Sequence, residues 1–505
     1  MFFFCCVMKG GAHMIINDGI RVFTGRKQIF TDEAEVNTGN IYSILDEAMI
    51  THNENIIDIK YLKEYVKGVQ PILDREKPIR DDINIRVVFN RAAQIVDFKL
   101  KYEFGSPITY VRRSKDEADG FGSDVDDRGV SLLNEMMGYS NKPAIDLQIA
   151  KNFKTCGVGY RLIEPSDDPL SIIKMASLNP ESSFVVYRND AYRKPILGVT
   201  YFKKRNGDTE FTCYSADTIY IVTSKFGRGY TGEPIVYPNI PGQIPIIEYV
   251  NNYDRMSDFE RVISLINALN VTNSDRMNDI AQHVQSIIWM NNCEPDDDQE
   301  IKSNGVIITK SQQGVQANIQ FLENVLNQSE IQTLVDHVND QIDVIANVPG
   351  RQETGGGSTG SAMNLSNGWQ AAETAAKGME LIFSESERRT LDVVSGIINN
   401  TENVPDELVA LKISDIEPKF SRNKTYDLAT KCSSLVALLN AGVDGLTAFT
   451  VVGLFTDPQL AWENSKETVE KIRTSGNKVS PNDVNKVVQN TTNQPSKVSN
   501  VDEGI

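Results

Sequence analysis

Cysteine and histidine are scarce in this chain, and the few present stand apart. Among 505 residues there are six cysteines, Cys5, Cys6, Cys156, Cys213, Cys293 and Cys432, and four histidines, His13, His52, His283 and His337. With no C-x-x-C and no paired spacing, they offer no zinc constellation. The pattern predicts reduced thiols, as in the cytosol, rather than a disulfide framework. Net positive charge is also missing, since 51 Lys and Arg against 68 Asp and Glu leave −17. Tight binding of nucleic acid requires cations on phosphates, so the bulk surface is a poor grip for it. A protein that lets DNA pass without holding it remains compatible with that charge. No apolar run approaches the ~20 residues of a membrane helix, so no membrane partner is expected.

The first residues, "MFFFCCVM", are apolar but short and lack a basic flank, which is unlike a signal peptide. "KGGAHM" at 9–14 is what an AAGGAGG-type ribosome-binding sequence encodes just before a start codon at Met14. Residues 1–30 are therefore expected to be a leader, with 1–13 untranslated.

What is there is an ordinary globular composition, 40% apolar and 24% charged, long enough for three or four domains at ~150 residues each. Residues 40–70 carry two apolar stripes, Ile41, Ile44, Leu45, Met49 and then Ile59, Leu62, Tyr65, Val66, which predict two amphipathic helices. Residues 84–104 continue in helical period, and "GSPITYV" turns into a strand. "RSKDEADGFGSDVDDRG", 113–129, reads as an acidic surface loop whose acids miss the EF-hand spacing. Residues 158–250 are β-rich, with Asn206-Gly207 marking a hairpin.

At Ser257 the character changes. Ser257 and Glu260 form a capping-box pattern before a helix striped by Phe259, Val262, Ile263, Ile266 and Leu269. Met277, Ile280 and Val284 resume the stripe after a polar middle, "NVTNSDR". Strands are expected at 306–308 and 319–321, and the acids Glu294, Asp296, Asp297 and Asp298 read as a solvated loop rather than a magnesium site. A second helix, 329–347, is striped by Ile331, Leu334, Val335, Val338, Ile342 and Ile345. A long helix is expected over 361–399, a strand over 409–420, helices over 425–475, and a disordered tail from Gly476.

Between the last two stripes lies "RQETGGGSTGSAMN". Gly355, Gly357 and Gly360 match a dinucleotide fingerprint, and Gly355 to Gly360 with Ser361 resemble a phosphate-binding loop. Both motifs need a preceding strand to aim the loop at phosphates, and here the preceding pattern is helical. Ser361 and Ala362 stand where Lys and Ser or Thr should be. A nucleotide site is rejected, and a glycine-rich loop free to bend is what remains.

Three stretches together resemble one family. "YLKEYVKGVQPIL" with "NIRVVFNRAAQIVDFKLKYEFGSPITY", "IPIIEYVNNYDRMSDFERVISLINALNVTNSD", and "ETGGGSTGSAMN" before a long helix are similar to the portal proteins of tailed bacteriophages. The likeness is to their SPP1-like, Gram-positive siphophage branch, over about residues 40–460. It implies an α+β, portal-type subunit that assembles as a ring of about twelve copies at one capsid vertex. Residues 31–256 with 400–424 would be a mixed α/β wing, and 257–285 and 327–348 a two-helix stem. Residues 286–326 would be a small α/β clip, 361–399 a long wing-spanning helix, 425–475 a helical crown, and 476–505 the tail. The tunnel loop, 349–360, would face DNA through Arg351, Gln352, Glu353, Thr354, Gly355, Gly356, Gly357, Ser358, Thr359 and Gly360. Stem packing would fall to Phe259, Val262, Ile266, Leu269, Met277, Ile280, Val284, Leu334, Val338 and Ile342.

The implied partners are double-stranded DNA in the channel, the terminase large subunit, a head-completion or adaptor protein, and the major capsid and scaffolding proteins. The implied place is the virion, and the bacterial host cytoplasm during assembly. No cofactor, metal or catalytic residue is expected. The alternative is a nucleotide-dependent or metal-dependent DNA-processing enzyme, against which the missing lysine and the lack of separated, convergent acids both argue.

Overall fold

The computed structural model describes residues 23–77, 81–112, 124–168, 171–284, 287–291, 293–295, 309–311, 318–322, 328–350, 368–402, 404–422, 428–454, 461–462 and 464–469. The chain divides into two compact units, 1–422 and 423–505. Most of residues 1–30, the tail from 476, the strand expected at 306–308 and the glycine loop at 351–360 lie outside the described residues. Residues 23–30, within the expected leader, belong to the fold. β1 (Ile29–Thr31) is a sheet strand, and the buried Arg26 pairs with Glu260.

Helix α1 (Ile41–Val66) is a single helix of 26 residues where two were expected. Its buried positions are Ile41, Ile44, Leu45, Ala48, His52, Asn55, Ile59, Leu62 and Tyr65, at unbroken three- and four-residue steps. His52 and Asn55 fill the middle of that stripe, so counting apolar residues alone finds a gap. Asn55 is satisfied by the backbone of Lys27, accepting from its N–H and donating to its carbonyl, each at 2.8 Å. His52 lies against Phe184 and Tyr201, with ring centroids 4.5 and 5.7 Å away.

The expected helix over 84–104 starts late. α2 (Arg91–Phe104) begins only after Asn90, whose Oδ1 accepts the Ala93 N–H at 3.2 Å. Residues 84–89 are not helical. β2 (Thr109–Arg112) follows as expected. The later part of the expected acidic loop opens α3 (Asp124–Tyr139), and α4 (Lys142–Cys156) comes next.

The β-rich region holds β3 (Val158–Asp168), β4 (Ser171–Leu178), β5 (Ser183–Arg188), β6 (Pro195–Lys203), β7 (Thr209–Tyr214), β8 (Thr218–Lys225), β9 (Gly229–Tyr230), β10 (Ile235–Pro238) and β11 (Ile246–Val250). One sheet runs β1-β5-β6-β7-β8-β10, with β9 on β8, and β1 joins it parallel to β5. The other is β11-β3-β4. Asn206-Gly207 does sit in the β6–β7 hairpin. Gly207 takes φ +87° there, its N–H reaching the Lys204 carbonyl at 3.0 Å.

The first half of α1 covers the larger sheet through Phe184, Val186, Leu197 and Val199. The smaller sheet packs on α2, α3, α4 and the long helix α7 (Trp369–Asn400), with Phe104, Phe153, Tyr249 and Phe383 at the centre. Buried charge also fastens α7. Glu387 meets Arg161 at 2.9 Å and Lys142 at 3.2 Å, and it accepts hydrogen bonds from Tyr249 at 2.7 Å and from Tyr110. Burial alone would push the Glu387 carboxyl up, but Arg161 and Lys142, helped by the two hydroxyls, hold it at about 2. Breaking such a buried cluster by removing one member costs about 3–5 kcal/mol.

The strand expected over 409–420 is mostly other structure. The segment begins in a short helix, α8 (Asp406–Val409), and only β16 (Ile416–Lys419) is a strand, paired with β2. The second unit contains α9 (Leu428–Asn440) and α10 (Gly445–Val452), joined over Leu435, Leu439 and Phe449.

Candidate functional site: a helix pair and the joint above it

Helix α5 (Ile263–Val284) is entered through a 3-10 turn at Glu260–Val262, and α6 (Gln328–Ala346) packs beside it. The capping box at Ser257 is half formed. Glu260 Oε2 accepts the Ser257 N–H at 2.6 Å, while the buried Ser257 hydroxyl has no hydrogen-bond partner among the described residues. Phe259, Val262, Ile266 and Leu269 share one apolar cluster with Leu62, Tyr65, Val96, Val335 and Ile342, and Val338 packs at its edge. Six of the ten expected packing residues therefore converge.

Three others do not. Met277, Ile280 and Leu334 are about half exposed within the chain, as is Ile345, and Val344 is more exposed still. Val284 ends α5, and its side chain lies outside the described residues.

The polar middle of α5 has a use that the apolar pattern did not reveal. Asn270, Ser274 and Asn278 are buried on one face at four-residue spacing, alongside the extended segment 84–89. Asn278 Oδ1 accepts the Ile85 N–H at 2.6 Å and its amide donates to the Ile85 carbonyl at 3.1 Å. Ser274 Oγ accepts the Val87 N–H at 3.0 Å, and Asn270 Oδ1 accepts the Phe89 N–H at 2.8 Å. The two periods agree. Four helical residues advance about 6.0 Å and two extended residues about 6.6 Å. The helix thus supplies, through side chains, the ladder that a neighbouring strand would supply through its backbone. Asn/Ser/Asn at i, i+4, i+8 was the signal in the sequence.

Ion pairs tie the ends of the pair to the rest of the unit. Arg75 meets Asp275 at 2.8 Å, and Arg91 meets Asp343. Helix α6 carries Glu330, Asp336, Asp340 and Asp343, and no lysine or arginine.

Above α5 the chain is clamped. Gly157 (φ +85°) lets the Arg255 carbonyl approach so closely that an added Cβ would lie 2.0 Å from its oxygen. Arg255 itself takes φ 58° and pairs with Glu248. Lys154 reaches Glu103 at 2.7 Å and Asp258 at 3.5 Å, and Lys99 reaches Asp258 at 2.9 Å. The two lysines overcome burial and hold the Asp258 carboxyl down. Lys154 and Lys99 with Glu103 and Asp258, and Arg255 with Glu248, neutralise one another, so the arrangement suits holding an angle between elements rather than acid–base chemistry.

Beyond the pair, β12 (Ile287–Asn291) pairs with β15 (Asn318–Leu322), and β13 (Cys293–Pro295) with β14 (Thr309–Ser311). The strand expected at 319–321 is therefore present. Glu294 lies in β13, while Asp296, Asp297 and Asp298 fall outside the described residues. Among the described residues no cluster of three or more His, Cys, Asp or Glu side chains could hold a metal, and no helix is long and apolar enough to cross a membrane.

Two comparisons bear on this arrangement. The family model described as "Phage portal protein, SPP1 Gp6-like" matches residues 47–477. The portal protein of Bacillus phage SPP1 is 22% identical over 367 residues, covering 65% of this chain and 67% of that protein. The family match runs from within α1 into the second unit, including the helix pair and its joint, and the chain belongs to the SPP1 Gp6-like family of phage portal proteins.

Proposed function

We propose that the chain forms a closed ring of about twelve copies at one capsid vertex. Its helix pair α5–α6 would act as the stem of a channel for double-stranded DNA. Members of this family are structural, non-enzymatic components of the virion. The observation that carries the ring is the division of the helix pair. One face is buried against α1 and α2, while Met277, Ile280, Leu334, Val344 and Ile345 stay exposed. An exposed apolar strip on paired helices suits a neighbour of the same kind, and a heterologous contact repeated about an axis closes a ring.

The acid-only charge of α6 favours a wall along which phosphates slide without being held. The strand pairs β12–β15 and β13–β14 serve as the clip, which would meet the terminase large subunit and later the adaptor protein. The wing and crown would meet the capsid and scaffolding proteins, with assembly in the host cytoplasm. The glycine stretch 351–360 is the tunnel loop in this reading. Changing Gly355, Gly356 and Gly357 together to Val restricts the loop through branched side chains and loss of φ > 0. Rings should still form, while DNase-protected DNA per capsid falls severalfold. Wild-type packaging in the triple variant would reduce the loop to a linker, and loss of rings would make its role one of assembly.

A further inference from the structure

The tips of two neighbouring hairpins in the larger sheet form a basic and aromatic spot on an otherwise acidic protein. Lys203, Lys204 and Arg205 lead out of β6, and Lys225 and Arg228 flank the turn after β8; all five are exposed. Lys204 pairs with Glu210, and among the described residues Lys203, Arg205, Lys225 and Arg228 have no acidic partner. The register aligns Lys203 with Thr209, Thr209 with Ser224, and Lys225 with Gly229, so the tips emerge side by side at one end of the sheet. With strands about 4.8 Å apart, the four free cations fall within roughly 15 Å.

At the centre is Phe226, 82% exposed. It sits at the corner of a tight turn in which the Arg228 N–H bonds to the Lys225 carbonyl at 3.0 Å and Gly227 takes φ +72°. One side of the ring rests on Gly207, and the Phe226 N–H donates to Asp208 Oδ1 at 3.3 Å, which ties the two tips together. Gly227 and Gly229 have open space around them. The ring is thus fixed at its base and has open space beside it, with four cations nearby that no described residue pairs with.

We propose that this spot binds single-stranded nucleic acid, with phosphates on Lys203, Arg205, Lys225 and Arg228 and an unpaired base stacked on Phe226. The charge is complementary to phosphate and foreign to the chain as a whole, which carries −17. A cationic groove with an exposed aromatic platform is the arrangement that holds unpaired strands. An acidic polypeptide would satisfy the cations but leaves the ring without a flat partner, and Gly227 and Gly229, which follow Phe226, leave room for one. The site stands apart from the helix pair and does not depend on a channel.

The test uses the purified full-length protein and a fluorescein-labelled 12-mer oligothymidylate, read by anisotropy from 50 to 200 mM NaCl. Phe226→Ala should weaken binding about tenfold with an unchanged salt slope. The triple variant Arg205→Ala, Lys225→Ala, Arg228→Ala should lower the logarithmic salt slope by about 2, the counterions of three phosphates. Circular dichroism melts should match wild type, because all four side chains are exposed. No binding by wild type, or equal binding by wild type and both variants, would overturn the proposal. So would competition by polyglutamate at equal charge together with no effect of Phe226→Ala, which would identify an acidic polypeptide instead.

Discussion

Replacing Asn278 with alanine should release one end of the extended segment 84–89 from α5. Asn278 is 3% exposed and makes two bonds to Ile85, one to its N–H at 2.6 Å and one to its carbonyl at 3.1 Å. A neutral hydrogen bond contributes about 1 kcal/mol net, and a buried polar group left unpaired costs about 1–3 kcal/mol. The local loss is then about 2–4 kcal/mol, or about 30- to 700-fold in opening of that end at 1.4 kcal/mol per decade. Hydrogen exchange with fragment separation is the assay. In the wild type, slow amides should alternate at Ile85, Val87 and Phe89, the three bonded to Asn278, Ser274 and Asn270. Asn278→Ala should abolish protection at Ile85 and reduce it at Val87, leaving Phe89 nearly unchanged because Asn270 still holds it. Ser274→Ala should act mainly at Val87, about tenfold. A change within twofold at Ile85, or a uniform loss from 84 to 89, would refute the ladder as the device that holds this segment.

Further perturbations probe the larger sheet and the joint above α5. Burial lowers the His52 imidazole from 6.5 to about 4, against a smaller opposing effect of a backbone hydrogen bond at Glu181. A depressed folded value means that stability is complete above pH 6.5 and lost as pH falls toward 4, by about 3 kcal/mol in total. Denaturant melts from pH 7 to 4.5 should therefore slope more steeply for wild type than for His52→Gln, and equal slopes would remove His52 from the account. Gly157→Ala forces a Cβ to 2.0 Å from the Arg255 carbonyl oxygen at φ +85° and should cost at least about 3 kcal/mol. Gly227→Ala, with φ +72° and open space, should cost only about 1 kcal/mol, and similar melting temperatures for the two would contradict the clamp above α5.

The β-rich region was legible because its strands announce themselves locally, in β-branched runs and in turn residues such as Asn206-Gly207. The elements misread were those whose pattern depends on a distant partner. His52 and Asn55 break an apolar stripe that the fold keeps intact, because Lys27, Phe184 and Tyr201 receive them. Ile85, Val87 and Phe89 carry the period-two alternation of an extended chain. They were read as helix because their bonding partners lie some 190 residues away in sequence. The same blindness hid the site. The polar middle of α5 looked like an interruption, and its three side chains acquire meaning only beside 84–89. Met277, Ile280 and Leu334 form an apolar stripe in the sequence, but a stripe does not say whether its cover comes from the same chain.

The central claim, that copies of this chain close into a ring around a channel, is tested most directly by negative-stain electron microscopy of the purified protein at micromolar concentration and moderate salt. The account predicts closed rings of about twelve copies with a central hole wide enough to admit a DNA duplex. A monodisperse monomer, or assemblies that remain open filaments or solid particles without a hole, would contradict it.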